Sequence, residues 1–203
     1  NLITCHLGNG ASITAIANGK SVETSMGFTP LEGLLMGTRS GDVDPSILIY
    51  LLERGYTASD INNILNKKSG LLGLSGVSND LRDLEREAEN DNKNAIEALD
   101  VYSYRIRKYI GGYSANLVKV DGIVFTGGIG EHGVKMRERI CRNLENIGLF
   151  LDYEKNKVLG SAEGIISTPH SPVTIMVIPT NEELQISIDT YQLIGEKLSE
   201  YQL

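Results

Sequence analysis

The sequence predicts an α/β domain in which a mixed sheet is flanked by helices. Three observations point there. The chain opens with strand-like stretches joined by turn dipeptides. Two short apolar runs bounded by turn signals recur later. The longer segments between and after them have helical periodicity.

Taken in order, "NLITCHL" reads as a strand and Gly8-Asn9-Gly10 turns it into a second, "SITAIANG". Asn18-Gly19 then forms a hairpin turn into "KSVETSM". Residues 27–44, "GFTPLEGLLMGTRSGDVD", break the alternation and read as a long Gly-rich loop. Asp44 as cap and Pro45 at the first helical position start a helix that runs to about Arg54. "TASDINNILNKKSG" is a short second helix, and "SNDLRDLEREAENDN" an acidic helical turn or two. "KNAIEALDVYSYRIRKYIGGYSANL" is a long helix with Ile96, Leu99, Tyr102, Ile106 and Ile110 on one stripe. "DGIVFTGG" is a buried strand, and "VKMRERICRNLENIG" an amphipathic helix ending at Gly148. "TIMVIPT" is another buried strand, followed by a helix from about Glu182 to the C-terminus.

The composition narrows the function. With 19 Lys and Arg against 26 Asp and Glu, and no basic stripe longer than "RIRK", nucleic acid is a poor partner. A small anion held by local cations or a metal is compatible with that charge. Cys5 and Cys141 lack metal-ligand spacing, are expected to be small buried residues, and fit a reducing cytoplasm. No apolar run approaches the roughly 18 residues of a membrane span. The chain starts at Asn1 within an apolar strand, which predicts a piece of a longer protein.

Five places carry candidate chemistry. The Gly8-Gly10 turn leads into a strand rather than a helix, so it is neither a P-loop nor a dinucleotide fingerprint. It is either a plain hairpin or an anion nest of successive backbone N–H groups. "TGGIGEH" (residues 126–132) ends a buried strand in glycines, where a ligand can approach the backbone or the chain simply turns. Arg39 in "GTRSGDVD" suits a transferring phosphoryl group, or pairs with Asp42 at the surface. In "IPTNEEL", Thr180 and Glu183 have capping-box spacing, which leaves Glu182 for Mg²⁺ or for the helix dipole. His6 is a core imidazole or a ligand contact.

Together, "HLGNGAS", "ETSMGFTPLEGLLMGTRSGDVDP", "FTGGIGE" and "VIPTNEEL", in this order, closely resemble the C-terminal half of the acetate kinase family, over essentially all 203 residues. The resemblance implies a ribonuclease H-like fold of the actin/hexokinase-like superfamily. It makes residues 1–203 a C-terminal nucleotide-binding and dimerisation domain, with the N-terminal acyl-binding domain absent. It assigns His6, Gly8, Asn9 and Gly10 to the nucleotide phosphates and Arg39 to the transferring phosphoryl group. Asp80 and Arg82 would hold adenine and ribose, Gly128, Ile129, Gly130, Glu131 and His132 the adenosine, and Glu182 the Mg²⁺ or Mn²⁺.

The activity so implied is reversible phosphoryl transfer between ATP and acetate, giving ADP and acetyl phosphate, in a cytoplasmic homodimer. The isolated half is expected to be inactive. Propionate or butyrate kinase, or a noncatalytic nucleotide-binding or dimerisation module, are the rival readings. Glu23 stands where the family usually has Asp, and His132 where Asn is common.

Overall fold

The structure, a computed structural model, describes the backbone of residues 1–200 and the side chains of residues 1–194. The predicted opening is found. Strand β1 (Leu2–Leu7) pairs antiparallel with β2 (Ala11–Ala17), which pairs with the edge strand β3 (Lys20–Thr24). Asn18 and Gly19 both take positive φ, the primed turn that matches the twist of paired strands. Strands β4 (Gly122–Thr126) and β6 (Thr174–Val177) lie parallel to β1, and the short β5 (Gly164–Ile165) closes the order β3-β2-β1-β4-β6-β5.

Period-two alternation places Ile3, Cys5, Leu7, Ala11, Ile13 and Ala15 in the core. Central β4 is buried from Gly122 through Phe125, which explains its unbroken apolar run. Helix α5 (Lys93–Asn116) packs on β1 and β2, with α3 (Gly70–Ser75), α4 (Leu81–Glu89) and α7 (Val134–Cys141) against it. Leu99, Tyr102, Ile106 and Ile110 form its predicted stripe, and burial of each such side chain contributes about 1.5–3 kcal/mol. Ile96 is only half-buried, because Ala95 and Ala98 occupy the tightest positions. The capped helices α1 (Pro45–Glu53) and α2 (Ala58–Lys67) are as expected, Asp44 accepting from the Ser46 N–H and Thr57 forming a capping box with Asp60.

Three expectations need correction. The predicted helix to Gly148 stops at Cys141, since Asn143 turns the chain with φ 64° and a 3₁₀ turn, Glu145–Ile147, follows. That break brings both Leu144 and Leu149 into the core, which a continuous helix cannot do. Second, α3 and α8 (Tyr153–Leu159) are helices in stretches to which the sequence reading assigns no element. Third, the sequence predicts that Tyr113, Leu117 and Val118, at the end of α5, form an exposed apolar face for a dimer, but Tyr113 and Leu117 are buried against this chain's own core and of the three only Val118 is exposed. Helix α9 runs from Glu182 to Glu200 as expected, and residues 201–203 lie outside the described part.

Candidate functional site

The three parallel strands end level with one another. His6 is in register with Thr126, and Phe125 with Val177. From this common rim leave the Gly8–Gly10 turn, helix α6 (Gly127–His132) and residues 178–181, which lead into α9. The crevice outside the carboxyl ends of parallel strands is where α/β sheets bind ligands. Gly127 makes the sharpest exit, with φ 77°. A Cβ there would stand 2.8 Å from the Leu7 carbonyl oxygen, so only glycine lets α6 fold back over the end of β1.

Two cavities open on the rim and meet at Gly128. The larger, about 500 Å³, lies between two walls, with Gly8 and Asn9 at one end. One wall is Asn79, Asp80, Leu81, Arg82 and Glu85, from the start of α4; the other is Gly128, Ile129, His132 and Gly133, from α6. The smaller, about 450 Å³, is lined by His6, Gly127, Gly128, Thr180, Asn181, Glu182 and Glu183. His6, Gly8, Asn9, Asp80, Arg82, Gly128, Ile129, His132 and Glu182 thus line two neighbouring cavities that share Gly128.

The Gly8–Gly10 turn is built by close approach rather than by unusual backbone. Neither glycine has a positive φ, so of the two sequence readings the turn has the backbone of a plain hairpin rather than of a nest of alternating hand. Instead the Gly8 N–H donates to the Gly10 carbonyl at 3.0 Å, and the Gly37 N–H to the Asn9 carbonyl at 3.3 Å. Asn79 Nδ2 adds a bond to Asn9 Oδ1 at 3.3 Å, tying the turn to the α4 wall. Arg39 Nη1 stands 3.7 Å from where a Cβ on Gly10 would sit, so the guanidinium lies beside the turn.

Arg39 is not paired with Asp42. Asp42 accepts from Arg105 Nη2 and the Tyr109 hydroxyl, each at 2.7 Å, and from the Gly33 N–H at 2.9 Å. This anchors the Gly-rich loop to α5, while burial and the Asp42 carboxylate push the Tyr109 hydroxyl pKa up. Arg39 meets only the Pro30 carbonyl, at 3.4 Å, and the Met36 sulfur, and forms no salt bridge among the described residues. A guanidinium held beside the turn without a carboxylate is available to an anion.

Asp80 and Arg82 hold each other. Asp80 caps α4 through the Arg82 N–H at 2.9 Å and accepts from Arg82 Nε and Nη2 at 3.0 and 2.6 Å. These bonds hold the Asp80 carboxyl down at about 2. Glu85, one helical turn beyond Arg82, has a buried Oε1 without a hydrogen-bond partner, and burial pushes its carboxyl up.

The α6 wall divides the five residues that the resemblance assigns to the adenosine. Gly128, Ile129 and His132 line the cavity; Gly130 and Glu131 stand behind it. Gly130 is buried, and Glu131 Oε1 accepts from the Gly127 N–H, the Thr180 N–H and the Thr180 hydroxyl at 2.9, 3.0 and 3.3 Å. Beneath them Arg137, wholly buried, donates to the Gly130 and Glu131 carbonyls at 2.9 and 2.7 Å. It also donates to Asn156 Oδ1 and the Gly160 carbonyl, both at 2.7 Å. The capping box expected from Thr180 and Glu183 is absent, because Thr180 is engaged by Glu131. Asn181 is the cap, its Oδ1 accepting from the Leu184 N–H at 3.1 Å.

Glu182 and Glu183 are exposed at the start of α9. Among the described residues no three His, Cys, Asp or Glu side chains cluster as a metal cage. The hard carboxylates of Glu182 and Glu183 at the edge of the smaller cavity fit Mg²⁺, which keeps its waters and shares its shell with substrate phosphates. The cavity-lining residues that sequence reasoning did not assign to the site are Asn79, Leu81, Glu85, Gly127, Gly133, Thr180, Asn181 and Glu183. Helical spacing from Arg82 pointed to Glu85; Thr180 was hidden by its capping-box spacing with Glu183.

Fold and crevice together define a ribonuclease H-like domain of the actin/hexokinase-like superfamily. More narrowly, the chain belongs to the acetokinase family, whose profile matches residues 1–188. It is 58% identical over 198 residues to the acetate kinase of Dictyoglomus turgidum, covering 97% of this chain and 49% of that protein. The chain thus spans about half the length of the curated relatives it matches. Among solved structures it resembles Porphyromonas gingivalis acetate kinase (TM-score 0.92, 49% identity, 95% of this chain and 49% of that one). It also resembles a propionate kinase from Francisella tularensis (TM-score 0.86, 46% identity, 92% and 47%).

Proposed function

We propose that this chain is the nucleotide-binding half of an acetate kinase and that the two joined cavities hold ATP or ADP. The observation that carries this reading is convergence: the turn beside Arg39, the α4 and α6 walls and the Glu182 loop meet on one rim. Base and ribose occupy the larger cavity between Ile129 and the Asp80–Arg82 pair. The phosphates extend past Gly128 toward His6, the turn and Glu182. Acetate is favoured over propionate because curated relatives at 58% identity are named acetate kinase, whereas the propionate kinase structure is 46% identical.

In the reaction, the acetate carboxylate attacks the γ-phosphorus in line. A carboxylate-oxygen–phosphorus bond forms as the bridging β–γ P–O bond breaks, and ADP leaves. The nucleophile is already ionised at neutral pH, so no general base is required. Arg39 neutralises charge on the equatorial oxygens as it develops. Glu182 would hold Mg²⁺ or Mn²⁺, whose chemistry when bound is to neutralise phosphate charge.

Acetate binding belongs to the half of the relatives that this chain does not span, so the chain alone should bind ADP yet form no acetyl phosphate. Calorimetry with ADP and a hydroxamate assay check this, and turnover by the chain alone would overturn it. In the protein that includes the other half, Arg39→Ala should lower kcat on the order of 10³-fold with a smaller change in nucleotide KM. Glu182→Ala should raise the Mg²⁺ requirement and lower kcat. Near-normal turnover in both variants would defeat the assignment.

The cytoplasmic, homodimeric state belongs to the same proposal. Two unpaired buried cysteines suit a reducing compartment. No helix among the described residues is long and apolar enough to cross a membrane. Helix α1 has no buried residue and exposes Ile47, Ile49, Tyr50 and Leu52. That patch replaces the end of α5 as the contact face, and sedimentation of an Ile49→Glu variant should show loss of the dimer.

A further inference from the structure

The Glu131 side chain lines neither cavity, and its carboxylate is engaged by the protein's own donors. One oxygen takes three of them: the Gly127 N–H, the Thr180 N–H and the Thr180 hydroxyl. Those donors sit at the exits of two different strands. Gly127 is the first residue after β4, and Thr180 lies three residues beyond the end of β6. Gly127 adjoins Gly128, which both cavities share, and Thr180 is two residues before Glu182. The carboxylate itself is held in place because Arg137 grips the Gly130 and Glu131 carbonyls from below. No other side-chain bond joins residues 178–181 to α6 among the described residues.

Resting on the reading of the crevice as a metal-nucleotide site, we propose that Glu131 is a positioning residue. Its carboxylate latches the loop that presents Glu182 to α6 and so sets the spacing between the base-side and metal-side cavities. It does this without touching the nucleotide. Arg137 still holds the Gly130 and Glu131 carbonyls when the latch is lost, which keeps the base pocket in place but lets Glu182 move away from the place where a phosphate-bound cation would meet it. The same effect is seen when the supporting partners of metal ligands are removed in other sites.

The test is calorimetry of ADP, with and without Mg²⁺, into wild type, Glu131→Ala, Glu131→Gln and Thr180→Val. It is paired with amide hydrogen exchange of the ligand-free chains at Gly127 and Thr180. In Glu131→Ala the gain in ADP affinity on adding Mg²⁺ should fall about tenfold or more, while affinity for metal-free ADP stays as in wild type. Glu131→Gln, which keeps an acceptor oxygen, should recover part of that gain, and Thr180→Val should lose a smaller part. Exchange at Thr180 should quicken in Glu131→Ala. Equal weakening with and without Mg²⁺ would make Glu131 a nucleotide contact and overturn the latch, as would an unchanged Mg²⁺ gain. If wild type binds neither form of ADP, the nucleotide reading itself falls, and unchanged exchange at Thr180 then rejects the latch separately. Should Glu131→Ala not fold, Glu131→Gln and Thr180→Val give the same comparison.

Discussion

The α4 and α6 walls face the same cavity and are built in opposite ways. On the α6 wall every support comes from behind: Arg137 holds its last carbonyls and Glu131 holds its first N–H, both out of contact with the ligand space. On the α4 wall Asp80 and Arg82, which face the cavity, hold each other, and the Arg82 side chain is 88% exposed. The first wall is rigid before a ligand arrives. The second can exchange an internal ion pair for bonds to a ligand, at the expense of an interaction that water already screens. Orientation therefore rests on α6 and adjustment on α4.

The largest test of this contrast is Arg137→Met. It removes the donor of five bonds and leaves buried carbonyl and amide oxygens unpaired, which should cost about 3 kcal/mol or more. In a chain of this size that is a fall of roughly 6–12 °C in Tm, measurable by calorimetry, with ADP affinity reduced as well. A Tm close to wild type would mean that α6 is held by packing alone.

Arg82→Ala should behave differently. It should weaken ADP binding about tenfold through loss of a charged donor, with Tm unchanged, because the pair is exposed. A Tm fall comparable to that of Arg137→Met would erase the distinction between the walls.

The smallest effect is the pH dependence of Asp80. Its carboxyl is held at about 2 in the folded chain and titrates near 4 when unfolded. The unfolded state therefore takes up the proton first. The contribution to stability is present above about pH 4 and is lost as pH falls through about 2. Solvent keeps it below about 1 kcal/mol, and salt should reduce it further. Comparing Asp80→Asn, which keeps the helix cap, with wild type between pH 5 and 2 should show the two melting curves converging.

The legibility of the molecule followed the same division. The strands, the Asn18-Gly19 turn and the caps at Asp44 and Thr57 are local, and could be read from period and turn chemistry. So could the cavity-facing glycines and Arg39, once their motifs were taken together. What could not be read depends on contacts distant in sequence. Glu131 is bonded to Thr180, 49 residues away, and Arg137 to Asn156 and Gly160 beyond a broken helix. Nothing in "GIGEH" distinguishes a glutamate that faces a ligand from one that faces the protein. The Thr180–Glu183 spacing was misleading for the same reason, since a distant acceptor competed successfully with the local one.

The exposed margin at β3 has a consequence of its own. All five of its residues are exposed, and the sheet order ends there, so its outer row of amides and carbonyls faces outward. Such a row can template a foreign chain. Lys20 and Glu23 stand near its two ends around exposed Val22, and a second strand seeking to extend the ladder would have to desolvate both charges. This edge is thereby kept from becoming a seed for aggregation, by charge placement rather than by cover.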